Sequence, residues 1–202
     1  RAAWGTAAKL RAWQEDALEA YLGSGERDFL AVATPGAGKT TYALRIATEL
    51  IDRGVISAVT VVAPTEHLKH QWADAAGRVG LQLNPAFSNS SGLQSHEYDG
   101  VALTYAAVAS KPQLHRRRTQ ETPTLVILDE IHHGGDARSW GDGIREAFDG
   151  ATRRLSLTGT PFRSDTTPIP FVRYDAEGVA VADISYTYAE AVREAACRPV
   201  TG

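Results

Sequence analysis

The sequence predicts an α/β fold: a mostly parallel sheet with helices on both faces, plus a small β-hairpin near the C-terminus. Three observations carry this. Short runs of apolar, often β-branched residues recur along the chain, continuous rather than alternating, as strands buried on both faces require. Segments with apolar residues at helical spacing separate them. A glycine loop ending in lysine and threonine, "ATPGAGKT" at 33–40, joins the first strand to the first long helix. In open parallel sheets ligands bind at the C-terminal ends of the strands, where this loop falls.

Taken in order, "LRAWQEDAL" (10–18) reads as an amphipathic helix and "FLAVA" (29–33) as a strand. "TTYALRIATELIDRG" (40–54) sets Ala43, Leu44, Ala47, Leu50 and Ile51 on one stripe and stops at Gly54. "AVTVVA" (58–63) is the next strand, and a helix follows from about Thr65 to Arg78. "GVALTY" (100–105), "TLVILD" (124–129) and "RRLSLTG" (153–159) are further strands. The polar stretch 88–100 reads as a loop, and "KPQLHRRR" (111–118) as another. Prolines and then alternating residues about a Glu-Gly turn suggest the hairpin over 166–188.

A chain of 202 residues can bury one good core. Its 43% hydrophobic and 22% charged content is ordinary for a globular protein. No apolar run approaches the roughly 20 residues of a membrane span, and the N-terminus lacks the apolar stretch of a signal peptide. The single cysteine, Cys197, excludes an internal disulfide and any multi-cysteine metal site. An intracellular, cytoplasmic setting is the expectation. A net charge of -3 announces no global basic field, so any nucleic-acid contact has to be local. A chain that begins with Arg1 and holds no methionine is expected to be a piece of a longer protein.

The glycine loop fits the phosphate-loop pattern G-x-x-x-x-G-K-[ST], with Ala33 at the first glycine position and Gly36, Gly38, Lys39 and Thr40 intact. Glycines let backbone N–H groups point inward as an anion nest, and the next helix adds its positive end. Lys39 would pair with the outer phosphates, and the Thr40 hydroxyl would ligate Mg2+. "TLVILDEIHH" closes an apolar strand with Asp129 and Glu130, an expensive placement unless a cation or hydrogen bonds receive them. In phosphoryl transfer one acid holds Mg2+ and its neighbour takes a proton from the attacking water. Alone, such a pair is also a common helix cap. Zinc at His132 and His133 is disfavoured, since adjacent histidines diverge and no H-E-x-x-H partner follows.

In the order of these motifs the chain resembles the first RecA-like domain of superfamily 2 helicases. It is closest to the DExH branch of type III restriction subunits and related DNA-repair and phage helicases. "LRAWQEDAL" resembles the glutamine motif, which implies that Gln14, with Arg11 nearby, reads adenine. "ATPGAGKT" is similar to motif I, which with motif II implies a nucleotide-binding set of Pro35, Gly36, Ala37, Gly38, Lys39, Thr40, Thr41, Asp129 and His132. Catalysis would fall to Glu130 and Lys39, with ATP and Mg2+ as cofactors. "APTEHLKHQW" (63–72) resembles motif Ia, implying a phosphate contact from Thr65. "LTYAAV" (103–108) resembles the later backbone-contacting motif, with Thr104 and Tyr105. "LTGTPFRSD" (157–165) resembles motif III, with Thr158 and Thr160 linking nucleotide state to the bound strand.

Lys111 and Arg116, Arg117 and Arg118 read either as a solvated face or as a contact with a phosphate backbone. Residues 1–202 would then be one motor domain, with a glutamine-motif region at 1–27. The family's second RecA-like domain, a required partner for hydrolysis, would be absent. The expected partner is nucleic acid, DNA ahead of RNA. The rival readings are a P-loop phosphotransferase and a nucleotide-dependent protein-interaction module.

Overall fold

In the structure, a computed structural model, residues 10–88, 97–135, 138–163 and 168–186 are described. The core of the 88–100 loop, Ser164 to Thr167 and everything after Tyr186, Cys197 included, fall outside those residues. The elements run α1 (Ala12–Ser24), β1 (Asp28–Ala33), α2 (Lys39–Asp52), β2 (Ala58–Ala63), α3 (Glu66–Arg78), β3 (Leu83–Asn84) and β4 (Gly100–Thr104). Then follow α4 (Tyr105–Ser110), α5 (Pro112–Glu121), β5 (Thr124–Leu128), a 3-10 turn (Ile131–Gly135), α6 (Arg138–Phe148), β6 (Arg153–Thr158) and β7 (Ile184–Tyr186).

The seven strands form one sheet in the order β3-β4-β2-β5-β6-β1-β7, every pairing parallel. Continuous apolar strands dictate this, because both faces are covered. Phe29, Ala31 and Ala33 of β1 join a core with Trp13, Tyr42, Leu44 and Trp72, from α1, α2 and α3. Leu30 and Val32 point the other way, into a core with Tyr105, Ile144 and Phe148 of α4 and α6. The period-two alternation therefore feeds two cores, not a core and a solvent face. Gly100 opens β4 because a side chain there would sit 1.6 Å from the Val59 carbonyl. Among the described residues no helix is long and apolar enough to cross a membrane.

Two expectations meet a different outcome. "KPQLHRRR" is not a loop: Pro112 starts α5, at the position where a missing N–H costs nothing. In the 166–188 segment the turn is present, with Asp175 and Gly178 bonded and antiparallel bridges at Tyr174–Ala180 and Arg163–Val179. Its end instead joins the main sheet as β7, parallel to β1. Asp183 makes that turn-in possible: it exchanges two hydrogen bonds with Leu30, one through its carboxylate (2.8 Å) and one through its N–H (2.9 Å). Arg154 secures the same strap from below. Its guanidinium grips the Asp28 carboxylate with two donors, caps the carbonyls of Phe148 and Asp149 at the end of α6, and stacks 4.1 Å from the Phe171 ring centre.

Candidate functional site

Strands β1, β5 and β6 end side by side, and each delivers part of one site. From β1 the chain turns through Thr34 to Gly38 into α2. Gly36 and Gly38 take φ of 82° and 93°, the left-handed region where glycine carries no steric penalty. At Gly38 a side chain would also fall 2.4 Å from the Gln14 amide. Lys39 opens α2, with Thr40 and Thr41 half-buried in its first turn.

From β5 come Asp129, 4% exposed, and Glu130, held at φ 46°. A non-glycine residue pays of order 1 kcal/mol for that conformation, which the surrounding contacts have to offset. Lys39 Nζ contacts Glu130 Oε1 and lies 3.7 Å from Asp129 Oδ1. Burial lowers the Lys39 pKa from its ordinary value, and the nearby Asp129 opposes that shift. From β6, the Gly159 N–H donates to Glu130 Oε2 (3.3 Å), while Thr158 Oγ1 lies 3.3 Å from His132 Nδ1. The same hydroxyl donates to the Thr160 carbonyl (3.0 Å), so the two threonines close a tight turn beside the acids.

Asp129 is fixed by Trp72, which the sequence did not single out, and by Tyr105, which was expected in another role. Trp72 Nε1 donates to Oδ2 (2.9 Å) and the Tyr105 hydroxyl donates to the Asp129 carbonyl (2.7 Å). Oδ1 is buried with no hydrogen-bond donor among the described residues, facing Lys39. A buried carboxylate oxygen left without a hydrogen bond, facing the lysine that follows a glycine loop, suits a hard divalent cation with phosphate oxygens. Among the described residues no cluster of three or more His, Cys, Asp or Glu side chains could hold a metal.

The glutamine-motif residues close over the loop. Arg11 Nη1 donates to the carbonyls of Gly36 (3.2 Å) and Ala37 (3.0 Å), and Trp13 Nε1 also donates to Ala37 (3.0 Å). Gln14 is buried: its Oε1 accepts from the Arg11 N–H (2.7 Å) and its Nε2 donates to the Gly38 carbonyl (2.8 Å). It is therefore no solvated surface residue. These donors take up the loop's carbonyls, while within the loop the Ala37 N–H donates to the Thr34 carbonyl (3.0 Å). Pro35 rides on the far side, 3.5 Å from where a Gly159 side chain would begin. The signal for Trp13 was its polar N–H on a buried stripe, since a buried indole seeks an acceptor.

At the same edge, two threonines cap helices. Thr65 Oγ1 accepts from the Leu68 N–H and Thr104 Oγ1 from the Ala107 N–H, each at 3.2 Å. Their strands are neighbours, with Ala63 paired to Thr104, so both caps stand on one rim, Thr65 exposed and Thr104 buried. Tyr105 is corrected: it is fully buried and cannot touch a strand, because α4 begins at that residue and turns its ring inward onto Trp140. The arginine triplet is corrected too. Helix α5 leaves the rim and feeds the start of β5, with Gln120 against Gly150 at the opposite edge of the sheet. Arg118 is buried over Phe87 beside His115, whereas Arg116 and Arg117 are exposed, Arg117 paired with Glu121.

Known proteins bear on this geometry. The family model described as type III restriction enzyme, res subunit, matches residues 7–163. Uncharacterized protein Rv2917 of Mycobacterium tuberculosis (strain ATCC 25618 / H37Rv) is 63% identical over 195 residues, 95% of this chain and 32% of that protein. Uncharacterized protein ML1624 of Mycobacterium leprae (strain TN) is 60% identical, over 95% of this chain and 33% of that one. The chain thus spans about a third of the length of the curated relatives it matches. Among solved structures, the SWI2/SNF2 ATPase core of Sulfolobus solfataricus in complex with dsDNA superposes with a TM-score of 0.63 at 18% identity, covering 79% of this chain and 34% of that one. A nuclease-deletion mutant of the type ISP restriction-modification enzyme LlaGI, in complex with a DNA substrate mimic, gives 0.66 at 16%, covering 96% and 21%. At those identities the likeness is one of fold, the RecA-like fold of superfamily 2 helicase domains. With more than three quarters of its length matched by one family model, the chain belongs to the family of the type III restriction enzyme res subunit, a family of helicase-like ATPase domains.

Proposed function

We propose that this domain binds and hydrolyses Mg-ATP as the first half of a DNA helicase or translocase motor, completed by a second RecA-like domain. The observation that carries the reading is Asp129 Oδ1, buried and bare at the end of β5, within one ion-pair distance of the phosphate-loop lysine.

Each residue has a part consistent with its position. The amides of Gly36 and Gly38 and the Lys39 ammonium hold phosphate, Thr40 and Asp129 hold Mg2+, and Gly38 lets the backbone approach closely. The cation supplies charge neutralisation on the phosphate oxygens. Glu130 takes the proton of a water at its carboxylate, in reach of the Gly159 amide and His132 that orient it. Thr65 and Thr104 each still carry a hydroxyl hydrogen after accepting from a backbone N–H, and offer it to phosphates of a single strand. The Sulfolobus and LlaGI structures are described with DNA, which supports DNA as the polymer here.

The test is ATP turnover by the full-length protein with and without single-stranded DNA, for wild type and Glu130→Gln. DNA should stimulate the wild type. The variant should keep nucleotide binding and lose turnover by roughly 100-fold or more. Turnover that persists within about threefold removes Glu130 as the base. Stimulation by a small phosphate acceptor instead of DNA would make the domain a phosphotransferase.

A further inference from the structure

We propose that Trp72 and Tyr105 are positioning residues that couple the two strand-facing threonine caps to the metal-binding carboxylate, by holding Asp129 at two points. The proposal rests on the functional reading above and adds a physical route between its two halves.

Asp129 is held by three hydrogen bonds from three sources. Its N–H donates to the Val62 carbonyl (2.9 Å), which ties it to β2. Its carbonyl accepts from Tyr105, and Oδ2 accepts from Trp72. The indole bond fixes the rotation of the carboxyl group, and so decides that Oδ1, not Oδ2, faces Lys39 and the phosphate loop. Both donors are buried, at 3% and 0% exposure, so water does not substitute for either.

What makes the pair more than local packing is where each donor is anchored. Trp72 lies on α3, whose N-cap is Thr65, two turns away on one rigid helix. Tyr105 directly follows Thr104, the N-cap of α4. The two threonines proposed to meet the nucleic-acid backbone are thus each joined, by one helix or one peptide bond, to a donor on the same aspartate. The pairing of β2 with β4 keeps the two caps in register. A strand that draws α3 and α4 towards its phosphates shifts both donors relative to Asp129. By linkage, the occupied metal site must then change affinity for the strand by the same factor.

The experiment measures binding in the full-length protein. Calorimetry gives the ADP affinity and the Mg2+ concentration at half-maximal binding, with and without a single-stranded DNA oligonucleotide. The variants are Trp72→Phe, Tyr105→Phe and a core control, Phe148→Leu, at the end of α6 in the core that also holds Tyr105. Each clamp variant should raise the Mg2+ midpoint about tenfold and shrink the oligonucleotide's effect on nucleotide affinity at least ~3-fold, about half of that tenfold on a logarithmic scale. ADP affinity in EDTA should stay as in wild type, and Phe148→Leu should move none of these.

Tyr105→Phe deletes one hydroxyl and nothing else, which keeps the test decisive should Trp72→Phe fail to fold. Midpoints within about twofold of wild type overturn the proposal. So does a shifted midpoint with unaltered coupling, because it removes the link to the caps. A wild type that couples DNA to nucleotide while the clamp variants behave identically overturns the proposal alone. A wild type that binds no Mg-nucleotide overturns the functional reading and takes the clamp with it.

Discussion

Lys39 neutralises Asp129 and Glu130 across the gap between β1 and β5, with only 17% of its side chain exposed. Lys39→Ala should abolish measurable Mg-ATP binding by calorimetry. It should also cost about 1–3 kcal/mol of stability in urea unfolding, because it leaves Asp129 buried without a counter-charge. Wild-type ATP affinity in the variant would sink the phosphate-loop assignment. An unchanged urea midpoint would show that solvent already screens the pair. That Lys39, Asp129 and Glu130 meet was legible in the sequence because the glycine loop and the acidic pair each close a strand at the same edge of the sheet. The bonds of Trp72 and Tyr105 to Asp129 were not. Their acceptor lies 57 and 24 residues along the chain, and the contact exists only because β5 lies beside β2. Nothing local announces strand order.

Helix α5 shows how an element escapes a hydrophobic pattern. Its inward positions are His115, Arg118 and Thr119, spaced at three and four residues as a helix requires, but all polar. The stripe is built from hydrogen bonds instead: Thr119 donates to the His115 carbonyl (2.7 Å), and Arg118 Nη1 lies 3.3 Å from His115 Nδ1. Arginine has only donors, so Nδ1 accepts and the imidazole proton sits on Nε2. Burial first, then the Arg118 charge, lowers the His115 pKa from 6.5 to about 4. Burial also lowers that of Arg118 to about 10, which leaves it cationic at neutral pH. Between pH 6.5 and 4 the unfolded chain binds a proton at His115 that the folded chain does not. Stability therefore rises with pH across this window and is lost as pH falls through it. His115→Asn should remove on the order of 3 kcal/mol of that acid-side loss, read as a shallower fall of the urea midpoint. Parallel pH profiles for variant and wild type would mean that His115 gains no proton on unfolding.

Over the whole molecule, the sheet separates its charges by edge. The acids and Lys39 stand at the C-terminal ends of the strands, while α5 carries Arg116 and Arg117 away from that rim. Replacing Arg116 and Arg117 by serine should therefore leave the salt slope of single-strand binding, followed by fluorescence anisotropy, within about half a unit of wild type. A flattening of about 0.7 unit or more, one phosphate's worth on a single strand, would route the strand over α5. The α/β architecture and the strands β1, β2, β4, β5 and β6 could be read from the chain because burial on both faces leaves a plain apolar signature, whereas the two-residue edge strand β3 could not. The fate of 184–186 could not, since three residues, one of them Ser185, carry too little pattern to choose between a hairpin and a sheet edge. That choice has a mechanical consequence. Tyr186 accepts a hydrogen bond from Thr34 (3.1 Å) and stacks on Trp13 (4.9 Å), so the strand sits against the root of the phosphate loop. Tension on the chain beyond Tyr186 would run along β7, loading its rungs to β1 together in shear instead of peeling them one by one. The first atoms to strain would belong to the backbone of the glycine loop.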